Sequence, residues 1–282
     1  MTNASPKKTF LITGVSSGFG KAFATAALQD GHIVIGTVRN ETAQQAFADM
    51  GENAHAILLD VTKFDDIGPA IDKVQSDIGP IDVLVNNAGY GHEGILEESP
   101  LDELIAQFNA NVFGAVAMIK AVLPTMRLRR SGHIINITSM GGFITMPGIS
   151  YYCGSKFALE GISETLASEV AHLGIHVTAI APGSFRTDWA GRSMVRTDRS
   201  ITDYDSLFDP IRDARNQKSG QQAGDPAKAA QALLHIINQP EPPVHLLLGS
   251  DALGLVRTKL TNLGDEISKW EDVTTSTSFD AA

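Results

Sequence analysis

The stretch TFLITGVSSGFGKAFATAALQDG, residues 9–31, decides the fold. Its opening TFLIT (9–13) is a short apolar run that reads as a buried strand, and its close KAFATAALQDG (21–31) reads as a helix ended by glycine. The loop TGVSSGFG (13–20) joins the two. Gly14 permits the tight turn, Gly18 lets a pyrophosphate approach the backbone, and Gly20 lets the helix pack close to the sheet. The helix N-terminus then offers free N–H groups and partial positive charge to phosphates. Thr13, Gly14, Ser16, Ser17, Gly18, Phe19 and Gly20 are therefore candidate dinucleotide contacts. A glycine-rich turn is a weak sign alone, and its place between a first strand and a first helix strengthens it.

Outward from this unit, further apolar runs read as strands: HIVIGTV (32–38), AHAILLDV (54–61), IDVLVNNAG (81–89), GHIINITS (132–139), IHVTAIAPG (175–183) and VHLLLG (244–249). Helical patterns fall between them, roughly at 63–78, 101–128, 151–173 and 225–238, the last opened by Asp225 as N-cap and Pro226. The runs are continuous rather than alternating, which predicts a sheet covered on both faces and built from right-handed β-α-β units. The expected fold class is α/β: a single-domain, doubly wound Rossmann fold over 1–282, with a seven-stranded parallel sheet and helices on both faces. Two segments resist the pattern. Residues 184–224 mix charges with Phe185, Trp189, Met194, Tyr204, Leu207 and Phe208, and read as a substrate lid. Residues 250–282 form a C-terminal extension with a helix over roughly 254–270 and a polar end.

The chain of 282 residues is 43% hydrophobic and 19% charged, enough for a substantial core. A net charge of −10 argues against general affinity for nucleic acid or anionic membrane. The single cysteine, Cys153, excludes an internal disulfide and fits a cytoplasmic setting. The apolar run after Lys7 and Lys8 is too short, and broken too soon by Gly14, for a signal segment or a membrane span. The histidines show no paired metal-ligand spacing, so no metal site is expected.

The second strand ends GTVRN. An acidic residue there would bond the adenosine ribose 2′-hydroxyl and favour NAD, but that position is Val38. Arg39 follows, and a guanidinium can stack on adenine and bind a 2′-phosphate, which predicts NADP (NADPH) over NAD. Asp60, with Val61 after it, stands where a carboxylate can accept from the adenine amino group.

SYYCGSK (150–156) holds the candidate chemistry. Tyr152 and Lys156 are four apart, so on a helix they lie about 40° apart, whereas Tyr151 lies about 140° from Lys156. An ammonium beside a phenol favours the phenolate, which predicts a lowered pKa for Tyr152 and a general acid/base near neutral pH. Cys153 points elsewhere and reads as a packing residue, His92 as a residue bordering the cleft, and Tyr151 as a packing or wall residue or a subunit contact.

Together, TGVSSGFG, NNAG (86–89), Asn111, Ser139, YYCGSK and PGSFRT (182–187) resemble the short-chain dehydrogenase/reductase family, in order over residues 9–188. Ser139 lies 13 residues before Tyr152, the interval this family shows. The NNAGYG, GILEESPLDEL and VLPTMR segments resemble its hydroxysteroid- and retinol-dehydrogenase-like bacterial branch. The resemblance implies that Tyr152 exchanges the proton with the substrate oxygen. It implies that Lys156 lowers the Tyr152 pKa and binds the nicotinamide ribose, that Ser139 holds the substrate oxygen, and that Asn111 holds a water on the proton relay. By the same resemblance Asn87, Ala88 and Gly89 line the adenosine side, with Asn87 largely structural. Pro182, Gly183, Phe185 and Thr187 form the nicotinamide-binding turn, Phe185 standing where a smaller aliphatic residue is usual.

The implied activity is an NADP(H)-dependent oxidoreductase interconverting a carbonyl and a secondary or primary alcohol on a mid-sized, hydrophobic small molecule. The alternative is a catalytically silent NADP(H) sensor or scaffold. A nucleotide-sugar epimerase or dehydratase would need a larger C-terminal domain. Family members pair through helices corresponding to 101–128 and 151–173, so a homodimer or homotetramer is expected.

Overall fold

A computed structural model describes residues 6–187, 189, 191 and 193–279. The first five residues, part of the start read above as lacking a signal segment, and the last three of the extension lie outside the described residues. The first half of the chain runs β1 (Thr9–Ile12), α1 (Gly18–Gln29), β2 (Ile33–Val38), α2 (Glu41–Ala48), β3 (Ala54–Leu58), α3 (Phe64–Asp77), β4 (Val83–Asn86), β5 (Gly91–Glu93), α4 (Leu101–Phe108) and α5 (Gly114–Arg129). It continues with β6 (Gly132–Ile137), α6 (Ser150–Val170), β7 (Ile175–Pro182), β8 (Met194–Arg196), α7 (Asp205–Lys218), α8 (Pro226–Ile236), β9 (His245–Leu248), α9 (Ser250–Lys269) and α10 (Glu271–Thr275).

Seven strands form one parallel sheet in the order β3-β2-β1-β4-β6-β7-β9. All seven apolar runs became its strands. The continuity of those runs has its reason in β1: Phe10 and Ile12 enter one apolar layer with Phe23 and Leu233, while Leu11 enters the opposite layer with Ile71 and Met118. The strand order reverses between β1 and β4. That switch point opens a crevice at the carboxyl ends of the strands, where the glycine loop sits.

The expected single helix over 101–128 is interrupted by one turn of π-helix at Asn109–Phe113, which carries Asn111. The span Leu101–Arg129 is long and apolar enough to cross a membrane, and half of its most apolar window is buried inside the protein.

Residues 184–224 are more ordered than a loop. β8 pairs in parallel with β5, Gly91 opposite Met194, and α7 follows. Phe208 is the buried residue of α7, so the helix leaves no apolar period in the sequence. Charge holds it in place instead. Glu93 is fully buried and accepts from Arg212 Nε at 2.8 Å, with Arg215 also bonded and Arg196 Nε at 3.4 Å. Glu98 accepts from Arg199 Nε at 3.0 Å and from the Ser200 and Ile201 backbone N–H groups, both at 2.7 Å. Phe208 lies between the Arg199 and Arg212 guanidiniums, 5.3 and 4.8 Å from its ring centre. It rests on Gly148, where an added Cβ would lie 1.9 Å from Phe208 Cε2.

Candidate active site

The loop after β1 and the loop after β4 are laced together by side chains. Asn87 donates its amide to the Thr13 carbonyl at 2.8 Å and to the Gly14 carbonyl at 3.2 Å. The backbone N–H groups of Asn87 and Ala88 both donate to Thr13 Oγ1 at 2.9 Å. Gly14 adopts φ +72°, and an added Cβ at Gly20 would lie 2.2 Å from the Gly14 oxygen and 2.5 Å from Asn87 Nδ2. Side chains are excluded from the floor of this cradle.

Ser17, the N-cap of α1, is extended and makes no side-chain capping bond, and among the described residues no side chain accepts from the first amides of the helix. Ser16 and Ser17 flank this mouth, and Gly18 faces Thr187, whose Cβ lies 3.7 Å from where a Gly18 Cβ would stand. These are features that a pyrophosphate requires.

Arg39 is exposed at the end of β2, and its charge reaches Asp60. Burial works to raise the Asp60 pKa, but hydrogen bonds from the Thr62 N–H and hydroxyl, at 2.9 and 2.8 Å, together with Arg39 hold it below the ordinary carboxylate value. Val61 is buried against Gly114. Gly89 approaches Asn111 so closely that a Cβ would lie 2.7 Å from its Oδ1. Pro182 ends β7, Gly183 donates its N–H to the Leu248 carbonyl at 2.8 Å, and Phe185 packs on Phe19 with ring centres 5.1 Å apart. The unusual Phe185 thus fills the apolar layer beside α1 rather than the mouth of the cradle.

Helix α6 carries Tyr152 and Lys156, both buried. Ser139, just past the end of β6, lies beside the Tyr152 side chain and accepts from the Gly141 N–H at 3.0 Å. Lys156 Nζ donates to the Ile137 carbonyl at 2.8 Å and lies 5.7 Å from the centre of the Tyr152 ring. Burial draws Lys156 down to about 8, against the opposing charge of Glu160. The expected lowering of the Tyr152 pKa is absent. Burial pushes the phenol up, only partly offset by the neighbouring Ser139 hydroxyl, and the Lys156 ammonium is turned to a backbone carbonyl.

The Asn111 side chain is committed within the protein. Its Oδ1 accepts from the Tyr90 N–H at 3.0 Å, and its Nδ2 donates to the Tyr90 carbonyl and to Ser155 Oγ, both at 3.1 Å. It clamps the loop after β4 to the helix of Tyr152. Tyr151 is buried and packs inside the protein. Its hydroxyl donates to the Ser99 carbonyl at 2.8 Å and its ring stacks on His92 at 4.9 Å. His92 is buried as well, bonded to Thr197 at 3.0 Å, and burial lowers its pKa. Cys153 is buried and its thiol pKa is raised by that burial.

Two neighbours of the site were not identified from sequence. Trp189 was read only as a lid aromatic, yet its ring lies on Tyr152 with centres 4.9 Å apart, and its buried Nε1 has no hydrogen-bond partner among the described residues. Met146, Ile149 and Cys153 complete that apolar cluster. Glu160 stands one turn beyond Lys156, accepts from the Thr138 hydroxyl, and is bonded to His245 Nδ1 at 2.8 Å. Its signal was present: Tyr152, Lys156 and Glu160 continue one i, i+4 row. Among the described residues no group of His, Cys, Asp or Glu could hold a metal ion.

The family model for short chain dehydrogenase matches residues 8–196. A 3-ketodihydrosphingosine reductase of Bacteroides thetaiotaomicron is 39% identical over 241 residues, 85% of this chain and 87% of that protein. A short-chain dehydrogenase from Streptomyces avermitilis is 40% identical and superposes with a TM-score of 0.90, over 97% of this chain and all 100% of that one. The structure of ElxO with NADP bound is 27% identical, with a TM-score of 0.74 over 88% of this chain and 99% of that one.

Proposed function

The chain belongs to the short-chain dehydrogenase family of NAD(P)-dependent oxidoreductases, and we propose that it uses NADP(H) to reduce a ketone or aldehyde on a mid-sized apolar molecule, or to run the reverse oxidation. The observation that carries this reading is the buried set of Ser139, Tyr152 and Lys156 beside a cradle whose floor excludes side chains. NADP bound to the related ElxO is consistent with it, as is the keto substrate in the name of the Bacteroides relative.

When bound, the cofactor supplies or accepts the hydride. In this reading Thr13, Gly14, Ser16, Ser17, Gly18 and Gly20 hold the pyrophosphate, and Thr187 faces them from the turn after β7. Arg39 takes the 2′-phosphate, and Asp60 with Val61 takes the adenine. Asn87, Ala88 and Gly89 line the adenosine side, and Pro182, Gly183 and Phe185 shape the nicotinamide turn. Ser139 orients the substrate oxygen, and Tyr152, whose burial keeps it protonated, gives that oxygen its proton. Lys156 holds its charge beside the phenol, and Asn111 fixes the helix that carries both. Trp189 and Met146 present an apolar wall, and residues 184–224 close over it as a lid. The apolar face shared by α5 and α6, with Ile119, Leu123, Phe157 and Ile162 along its groove, is the proposed contact between copies of the chain.

The test mixes the purified protein with NADPH or NADH and a panel of ketones, aldehydes and quinones, following loss of the reduced cofactor's near-ultraviolet absorbance. NADPH turnover with apolar ketones is expected. Tyr152→Phe should lose nearly all turnover and keep cofactor binding, while Tyr151→Phe keeps both. Tight NADPH binding without turnover on any carbonyl would favour a silent sensor, and the opposite behaviour of the two tyrosine variants would overturn the assignment.

A further inference from the structure

Helix α9 begins on the body of the protein and ends off it. Ala252 and Val256 are 0% and 3% exposed, the two buried residues of its first turns. The row they start continues as Leu260, Leu263, Ile267 and Trp270, all within about 80° of the helix circumference. These four are 57%, 39%, 60% and 56% exposed. From Arg257 to Phe279 every residue but the half-buried Lys259 is exposed. The exposed part of α9, from 257 to 269, gains little by packing on its own chain, and an apolar stripe along one side is the mark of a face that packs on something.

The charges say what that something is. Arg257 and Lys259 make the first half of the projecting part of α9 basic, whereas Asp265 and Glu266 in its second half, and Glu271 and Asp272 at the start of α10 just past it, are acidic. None of these six forms an ion pair among the described residues. Side by side in parallel, two such helices would set acid against acid. Antiparallel, the basic half of each meets the acidic half of the other, as a two-fold axis requires. The 4-3-4-3 spacing of the stripe is that of a helix–helix seam.

We propose that α9 of one copy pairs antiparallel with α9 of a second copy, with Leu260 opposite Trp270 and Leu263 opposite Ile267. In that register Gly264 of both copies comes close to the axis. An added Cβ there meets nothing within 4 Å in its own chain, so the space is open for the second helix. This contact is separate from the α5–α6 face and does not depend on the proposed reaction.

The test uses the full chain. Sedimentation should give wild type twice the mass of the Leu263→Asp/Ile267→Asp variant at equal concentration, with NADPH binding unchanged as proof of folding. Gly264→Cys should form a disulfide-linked dimer under mild oxidation, since the native thiol, Cys153, is 3% exposed and gives no background. Arg257→Cys should link to Glu271→Cys when the two variants are mixed, and not to itself. Arg257→Glu/Lys259→Glu should dissociate and regain its mass on mixing with Glu266→Lys/Glu271→Lys. Equal masses for wild type and Leu263→Asp/Ile267→Asp, or an unlinked Gly264→Cys, would overturn the proposal. So would Arg257→Cys linking to itself, the mark of a parallel pair. Flotation of the wild type with phosphatidylcholine vesicles, lost in the same double variant, would assign the stripe to a lipid surface and overturn it equally.

Discussion

The glycine cradle and the lid border one crevice and are held by opposite means. The cradle, from Thr13 to Gly20, is shaped by missing side chains: its backbone passes so close to Asn87 and itself that a methyl does not fit at Gly20. The lid, from Met194 to Lys218, is shaped by present ones. Phe208 is the buried residue of α7, and carboxylates paired with arginines surround it. A close-packed backbone is intolerant of volume, whereas a buried charge cluster is intolerant of losing a partner. The two regions should therefore fail under different substitutions.

The largest expected effect is on the lid. Glu93→Ala leaves Arg212 and Arg215 without their buried carboxylate and should cost about 3–5 kcal/mol. Urea unfolding measures the loss, and limited proteolysis within 194–218 should become faster. A cost below about 1 kcal/mol, the size of a surface pair, would break the contrast.

Lys156 stands between the regions, a buried charge bonded to a carbonyl rather than a carboxylate. The unfolded chain keeps this proton up to 10.5 and the folded chain only up to about 8. The unfolded state therefore binds more protons across that window, and this group makes stability rise with pH through it. Wild type should gain about 2–3 kcal/mol relative to Lys156→Met between the ends of that window, read by urea unfolding. A flat difference would mean that the ammonium is solvated.

Gly20→Ala should cost about 1–3 kcal/mol and weaken NADPH binding, read by unfolding and by fluorescence titration. Arg39→Asp should weaken NADPH binding about tenfold, near 1.4 kcal/mol, and NADH binding less. Equal effects on both would sink the preference for NADP. The smallest effect has the opposite sign: Gly254→Ala, in α9 where an added Cβ meets nothing within 4 Å, should stabilise by roughly 0.5–1 kcal/mol. A loss there as large as at Gly20 would show that volume is not what the cradle senses.

The same contrast explains what was legible in the sequence. Strands buried on both faces print continuous apolar runs, so the seven-stranded sheet could be read almost residue by residue. The pairing of Tyr152 with Lys156 could be read because helix geometry links neighbours four apart. Helices α2 and α7 bury one residue each, Phe47 and Phe208, and one buried residue makes no period. Trp189 reaches Tyr152, and His245 reaches Glu160, across folds of the chain that local spacing does not encode. The acidity of Tyr152 was misjudged for a related reason. Spacing set the lysine beside the phenol but said nothing of how deeply the phenol is buried, nor of the carbonyl that claims the ammonium.

The short β5–β8 ladder carries a consequence for the order of assembly. It joins Gly91–Glu93 to Met194–Arg196, so β6, α6 and β7 all lie within the loop it closes. Closing so long a loop is costly until the intervening elements have already drawn its ends together. The β1–α1–β2 unit has no such wait, because its contacts are local. The β1–α1–β2 part of the nucleotide cradle thus has the shortest wait, Asn87 and Thr187 join it only when distant strands have docked, and the substrate end waits on closure of the β5–β8 loop.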